Sequence, residues 1–426
     1  MLSHKYFFLS LMMTSLFGQG IINGFGLGQL HRYSGPNRAG QGIQLLAPSY
    51  KKDVSLSNPT TWPKLKFTNF SFSYGAIRNE ITNSFNEFSG LSSINWIIPL
   101  KENSALGFSL EPYSYQDVNI LDSSIAEIVV FSDTIRYQNS FKKSGGIASF
   151  NIGYGKSLSD KIDLGVGLKL LFGSSRQNEV LSMSGNAAWI KGSIIKASRL
   201  KYSGVLLHTY ISSFLNSSTR LMLSYSYPID PLDGVFAEKD LFDDRNGNGF
   251  HDSYGSDFPN PNQINKHNET RLADIYKPSE FSFSIDRNVL SNSNLIIELV
   301  RFNDNGKLST LTNIGTTNKI SSGNILTVGM VRFPNQTGKN WTGNFILRSG
   351  FKYSHQKIEP TKNIISEIGY SMGFGFKFGA TSNQLDINYY VGSRSFKEKF
   401  DGENIHQIQA GVSLSDIWFV KRRQKK

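Results

Sequence analysis

The sequence predicts an all-β protein, a transmembrane antiparallel up-and-down β-barrel of about 14 strands, in a range of 12–16, with an N-terminal plug segment. The first observation behind this is the stretch from Lys161 to Gly173, KIDLGVGLKLLFG. Ile162, Leu164, Val166, Leu168, Leu170 and Phe172 share one parity, and Asp163, Gly165, Gly167 and Lys169 share the other. Such a strand has one oily and one wet face, and its length meets the roughly 9–11 residues a tilted strand needs to cross a bilayer. The second observation is that this pattern recurs between turn residues down most of the chain. The third is that no apolar run after residue 20 reaches the roughly 18 residues of a spanning helix. The mean hydropathy of −0.28 fits a barrel, because half of each strand faces a polar lumen and the loops are polar.

Taken in order, residues 1–20 read as a signal peptide. His4 and Lys5 precede the apolar run from Tyr6 to Met13, and Gly18 and Gly20 supply the small residues before a cleavage point after Gly20. The sequence holds no Cys, which excludes a lipid-anchoring Cys, a disulfide framework and any thiolate metal site. Residues 21–62 lack clean alternation and are expected to fold inside or beneath the barrel, as a plug or periplasmic segment.

The barrel is expected over residues 63–419. Its clearest hairpins are 146–172 and 368–391. In the first, Ala148, Phe150, Ile152 and Tyr154 alternate with Ser149, Asn151 and Gly153 before the turn Ser157-Leu158-Ser159-Asp160. In the second, Ile368, Tyr370, Met372, Phe374, Phe376 and Phe378 alternate with Gly369, Ser371, Gly373, Gly375 and Lys377. Leu385, Ile387, Tyr389 and Val391 then resume the pattern. Strands of this length exceed the roughly 5–6 residues usual in soluble sheets. Further strands are expected near residues 65–76, 91–100, 105–117, 125–138, 202–214, 220–227, 280–289, 295–302, 325–333, 341–353 and 405–419. The irregular stretches 176–198 and 229–277 are expected to be long external loops.

The loop 229–277 carries Asp244-Arg245-Asn246-Gly247-Asn248-Gly249-Phe250-His251-Asp252. This matches the first nine positions of a calcium loop, in which side-chain oxygens of Asp244, Asn246 and Asn248, the Phe250 carbonyl and Asp252 converge around a turn at Gly249. The twelfth position is Gly255 and not an acid, so calcium is a candidate ligand of weak affinity, competing with a simple solvated turn. No other cofactor is implied.

The strand ending Ile417-Trp418-Phe419 has the aromatic end of a last barrel strand, and the basic tail 420–426 is expected in the periplasm. Of the net charge of +12, Lys421, Arg422, Arg423, Lys425 and Lys426 supply five, and no other basic cluster appears along the chain. Nucleic acid is therefore not an expected partner. Gly153-Tyr154-Gly155-Lys156-Ser157 ends like a phosphate loop, but Phe150 stands where its first Gly belongs. There is no H-E-x-x-H and no G-x-S-x-G, and His208 reads as a lumen residue, so no enzyme is expected.

The order Gly24-Phe25-Gly26-Leu27-Gly28, Arg38-Ala39-Gly40-Gln41-Gly42, Asp53, then Asn58-Pro59-Thr60 before the first long strand resembles the long-chain fatty-acid transporter (FadL-like) barrels and their PorV/PorQ-like relatives of type IX secretion. In that superfamily a Gly-rich segment leads to an Asn-Pro-Ala motif; here the third residue is Thr60. The resemblance implies a barrel of about fourteen strands with an internal plug, Asn58 and Pro59 being the plug motif. It implies residence in the bacterial outer membrane, among outer-membrane lipid. Two functions follow from it: passive movement of hydrophobic, fatty-acid-like small molecules, or a PorV-like binding subunit for exported proteins. An apolar cavity continuous with a wall opening favours the first, and a polar, filled lumen favours the second.

Overall fold

The computed structural model describes residues 21–31, 35–42, 46–81, 84–121, 125–130, 133–185, 191–238, 242–244, 258–259, 268–290, 292–307, 309, 311, 318–334, 344–379, 383–396 and 402–416. The barrel consists of β1 (Thr68–Ile81), β2 (Ser84–Leu100), β3 (Ser104–Tyr115), β4 (Asp133–Ser157), β5 (Ile162–Ser184), β6 (Lys191–Asn216), β7 (Thr219–Glu238), β8 (Pro278–Leu290), β9 (Ser293–Asp304), β10 (Lys319–Arg332), β11 (Phe345–Glu359), β12 (Ile364–Phe378), β13 (Asn383–Phe396) and β14 (Glu403–Asp416). Consecutive strands pair antiparallel. β14 returns to β1, from Asn404 opposite Glu80 to Asp416 opposite Thr68, and closes a 14-strand antiparallel barrel. Closure matters energetically, since a spanning sheet must satisfy its backbone groups internally.

Burial is inside-out. On β12 and β13 the outward Met372 and Tyr370 are 74% and 60% exposed, while the inward Gln384 and Asp386 are 0% and 2% exposed. Water-soluble packing would reverse these values; a lipid solvent explains them. Ile162, Leu164, Val166, Leu168, Leu170 and Phe172 all face outward, on the face their alternation assigned to lipid. The protein is thus an outer-membrane β-barrel. Tight turns such as 158–161 and 217–218 mark the periplasmic side.

On the opposite side β4 to β7 rise far above their neighbours. β5 and β6 stay paired up to Ser184 opposite Lys191, so the stretch 176–198 is mostly ladder and not irregular loop. Likewise β7 continues to Glu238, and the short strand Asn268–Tyr276 pairs back onto it inside the expected loop 229–277. Above the membrane both faces of a strand meet water and apolar alternation has no cause, which is why these extensions look like loops in the sequence. The expected single strand at 125–138 is a small hairpin, with Ala126–Val130 folding onto the start of β4.

The described residues between 21 and 67 run down the inside of the barrel. Ile22 and Phe25 pack with Ile358, Ile365 and Phe396 near the external ends. Gly40 lies against Gly373 at mid-height. Tyr50 hydrogen-bonds Asn69 (2.9 Å) and Ser415 (3.2 Å) near the periplasmic ends.

Candidate functional site

The Asn58-Pro59 motif builds a tight internal turn. Asn58 caps the 3₁₀ helix Pro59–Lys64: its side-chain oxygen accepts from the Thr60 N–H at 3.1 Å and its amide donates to the Leu46 carbonyl at 3.0 Å. Pro59 occupies the first helical position, where a missing N–H costs nothing. Barrel glycines receive this turn. A Cβ on Gly155 would strike the Pro59 carbonyl, and one on Gly107 or Gly153 would strike the Trp62 ring. The Trp62 indole N–H donates to the Ser55 carbonyl at 3.0 Å, so the ring is fixed as well as packed.

Above this turn lie two adjoining cavities of about 120 and 90 Å³, which share Arg38, Glu111, Lys169, His208 and Glu280 on their walls. One side is polar. Lys169 Nζ lies 3.4 Å from Glu111, Asn151 donates to the same carboxylate at 3.0 Å, and Arg38 donates to Ser57 at 2.8 Å. His208 faces the lumen with Ser226 Oγ at 3.4 Å and its ring stacked on Tyr210. Leu30, Tyr113, Leu206, Tyr276 and Phe302 form the other, apolar side of the upper cavity. The Tyr113 and Tyr276 hydroxyls are 3.0 Å apart.

The apolar side of the cavity coincides with a break in the wall. β2 and β3 are paired only from Ile94 opposite Leu110 to Leu100 opposite Ser104. Higher up, β2 remains laddered to β1, and among the described residues its other edge has no ladder partner. β3 instead turns inward and takes the internal segment as its neighbour: Gln29 sits opposite Tyr115, Leu30 opposite Ser114, and the His31 N–H donates to the Tyr113 carbonyl at 2.8 Å. Pro112 stands at the register shift where β3 bends, and it has no N–H to offer a neighbouring strand. Gly28, at φ +79°, lets the segment approach so closely that a Cβ there would overlap the Tyr115 carbonyl. Outside the break is a largely apolar groove of about 360 Å³ whose walls include Phe88, Pro112, Tyr115, Ile147 and Phe172. The Phe88 and Tyr115 rings span the gap with centroids 3.9 Å apart.

Of the residues expected to matter, Asn58 and Pro59 lie at the floor of this site. Asp244 ends the short strand Phe242–Asp244 beside β6, remote from the wall break, and is buried. Asn246, Asn248, Phe250 and Asp252 lie outside the described residues, as do the expected signal peptide, residues 1–20, and the basic tail, residues 420–426. No set of three or more His, Asp or Glu side chains suited to a metal occurs among the described residues. Phe88, Tyr113 and Tyr115 were not singled out by the sequence reading. Pro112 inside an alternating run was the available signal, since a strand proline marks an edge or a bulge.

A profile of the family described as BamG matches residues 22–425. No curated protein matches the chain. Among solved structures, the Ralstonia pickettii toluene transporter TbuX is similar at 11% identity and a TM-score of 0.56, covering 91% of this chain and 99% of that one. The P. putida toluene transporter TodX is similar at 14% identity and a TM-score of 0.54, covering 92% and 100%. A Pseudomonas aeruginosa FadL homologue is similar at 11% identity and a TM-score of 0.56, covering 92% and 99%. These three share the fold.

Proposed function

The chain belongs to the BamG family, and from its fold and its wall break we propose that it is a passive outer-membrane channel which passes small hydrophobic molecules sideways into the membrane. The observation that carries this reading is that Leu30, His31 and Tyr113 line the internal cavity at the point where β3 leaves β2, directly inside the Phe88–Tyr115 groove. A hydrophobic solute gains nothing from a water-filled pore, but it gains transfer free energy by leaving a cavity directly for lipid. At about 120 and 90 Å³, with Arg38, Glu111, Lys169 and Glu280 on their shared walls, the two cavities are nearer the size of the roughly 150 Å³ apolar cavity that holds benzene than that of a long acyl chain. The toluene transporters that share the fold are consistent with that class. Pro59 and Trp62, at the internal turn, form part of the wall of the lower cavity.

The test uses the absence of Cys from the chain. A Phe88→Cys/Tyr115→Cys pair bridged by a short bifunctional thiol reagent should reduce cellular uptake of radiolabelled toluene to the level of membranes lacking the barrel. Each single variant treated alike should keep wild-type uptake. Wild-type uptake through the bridged protein would rule out the lateral route.

A second reading, a binding subunit for an exported protein, is favoured by the other half of the lumen. There Lys352, Glu367, Arg394 and Glu403 form a continuous buried ion network beside a cavity of only about 30 Å³. If wild-type barrels show no toluene uptake above barrel-free membranes, this reading replaces the first.

A further inference from the structure

Register assembles a basic cluster that the linear sequence disperses. On β4, β5 and β6 the outward parity that carries Ala148, Phe172 and Ser203 continues upward into Ser174 and Lys201, then Ser144, Arg176 and Arg199, then Lys142 and Asn178. Their inward neighbours Leu200, Tyr202, Ser175 and Gln177 are buried, whereas Lys142, Arg176, Arg199 and Lys201 are all exposed. Arg176 and Arg199 are direct cross-strand partners. Direct neighbours stand about 5 Å apart at Cβ, and like charges placed so repel. Among the described residues none of the four basic side chains has a carboxylate within 4.0 Å; of the acidic side chains on the same face, Asp230, Asp233 and Glu269 belong to β7 and the strand beyond it, Glu127 pairs with Arg136 at 2.8 Å higher up, and Asp244 is buried.

The height of the cluster identifies what neutralises it. Phe172 ends the apolar run of β5, and Arg176 lies four residues further along the strand, about 13 Å before allowance for tilt. The basic groups therefore lie just above the acyl chains, at the level of outer-leaflet headgroups, with stems long enough to reach down to them. A phosphate accepts paired N–H bonds from guanidinium groups, and two facing arginines with a lysine one level below form a three-sided cradle for it. We propose that the external rim of β4 to β6 is a binding site for the phosphate of an anionic outer-leaflet glycolipid of the lipid A type. The lipid would hold the tall sheet extension at a fixed height in the membrane.

The test compares purified wild-type barrel with an Arg176→Gln/Arg199→Gln/Lys201→Gln variant by native mass spectrometry in detergent. Bis-phosphorylated lipid A and its dephosphorylated form serve as probes. Wild-type protein should retain the phosphorylated lipid and release the dephosphorylated one. The variant should lose about a hundredfold in apparent affinity for the phosphorylated lipid, three basic groups being removed. Heat-modifiable migration on gels, unchanged in the variant, reports an intact barrel. Equal retention of both lipids by the wild type, or undiminished retention by a folded variant, would overturn the proposal. So would displacement of the lipid by a soluble acidic polysaccharide at equal charge concentration, since the cluster would then be a general polyanion surface. Should the triple variant not fold, Arg199→Gln alone, expected to lose about fivefold, gives the same decision.

Discussion

Arg348→Ala is expected to cost the folded barrel about 3–5 kcal/mol and to loosen the internal segment, the largest effect of any single substitution considered. The Arg348 guanidinium is buried. Its Nη1 donates to Asp386 at 2.7 Å, while Nε and Nη2 both donate to the Ser49 carbonyl at 3.2 and 2.9 Å. One side chain thus joins the wall to the internal segment. Removing it leaves the buried Asp386 carboxylate with the Gln384 amide as its remaining side-chain hydrogen-bond donor among the described residues and with the Lys377 charge nearby, and it frees the Ser49 carbonyl; a poorly compensated buried charge is what makes breaking such pairs expensive. The stability loss is read from urea titrations in detergent. Release of the internal segment is read from trypsin cleavage after Lys51 or Lys52, which sit in the tight turn bridged by Lys51 and Val54. Arg348→Met/Asp386→Leu should recover most of the stability, because replacing both members of a buried pair with apolar groups is close to neutral. It should not recover protease resistance, because the Ser49 carbonyl still lacks its donors.

Leu168→Arg and Phe374→Arg should each cost about 2–4 kcal/mol if they lie near the bilayer midplane. Both side chains face lipid, being about 40% exposed where no protein covers them. Lys169→Ala, one residue from Leu168 but turned to the lumen, should cost about 1 kcal/mol or less, since its partly solvated pair with Glu111 resembles a surface ion pair. The Asn151 amide continues to satisfy the carboxylate. Folding into lipid vesicles, followed by denaturant titration, measures all three. Equal costs for Leu168→Arg and Lys169→Ala would mean that the two faces of β5 are not distinguished by solvent.

The parts of the fold that were readable in the sequence are those on which lipid acts. Within the apolar band, water and hydrocarbon impose a strict period of two, so Ile162 to Phe172 and Ile368 to Phe378 announce both strand and parity. Where the same strands leave the band, at Arg176 to Ser184 or Lys191 to Ser198, no solvent contrast remains and the period disappears. The backbone ladder nonetheless continues to Ser184 opposite Lys191. Asn58 and Pro59 were readable as a turn because their chemistry is local: a side-chain cap and a fixed φ. The wall break was not, because it depends on which strand edge β3 chooses after Pro112. That choice is set by Gln29 and Leu30, far away in sequence, which offer Ser114 and Tyr115 an alternative partner. The basic cluster escaped for the same reason, as Arg176 and Arg199 become neighbours only through the β5–β6 register.

The lateral route is tested most directly by mapping where a hydrophobic photoprobe touches the protein in the membrane. Proteoliposomes holding the wild-type barrel would be loaded with a diazirine derivative of toluene, irradiated, and the adducts located by peptide mass spectrometry. Adducts are expected on a continuous line from the cavity through the break, on Leu30, Tyr113, Tyr115 and Phe88, in excess of those on the lipid-facing band represented by Leu168 and Phe374. Excess toluene should compete the first set away and leave the second. Adducts confined to the outward band, with Leu30 and Tyr113 unlabelled, would contradict the lateral route.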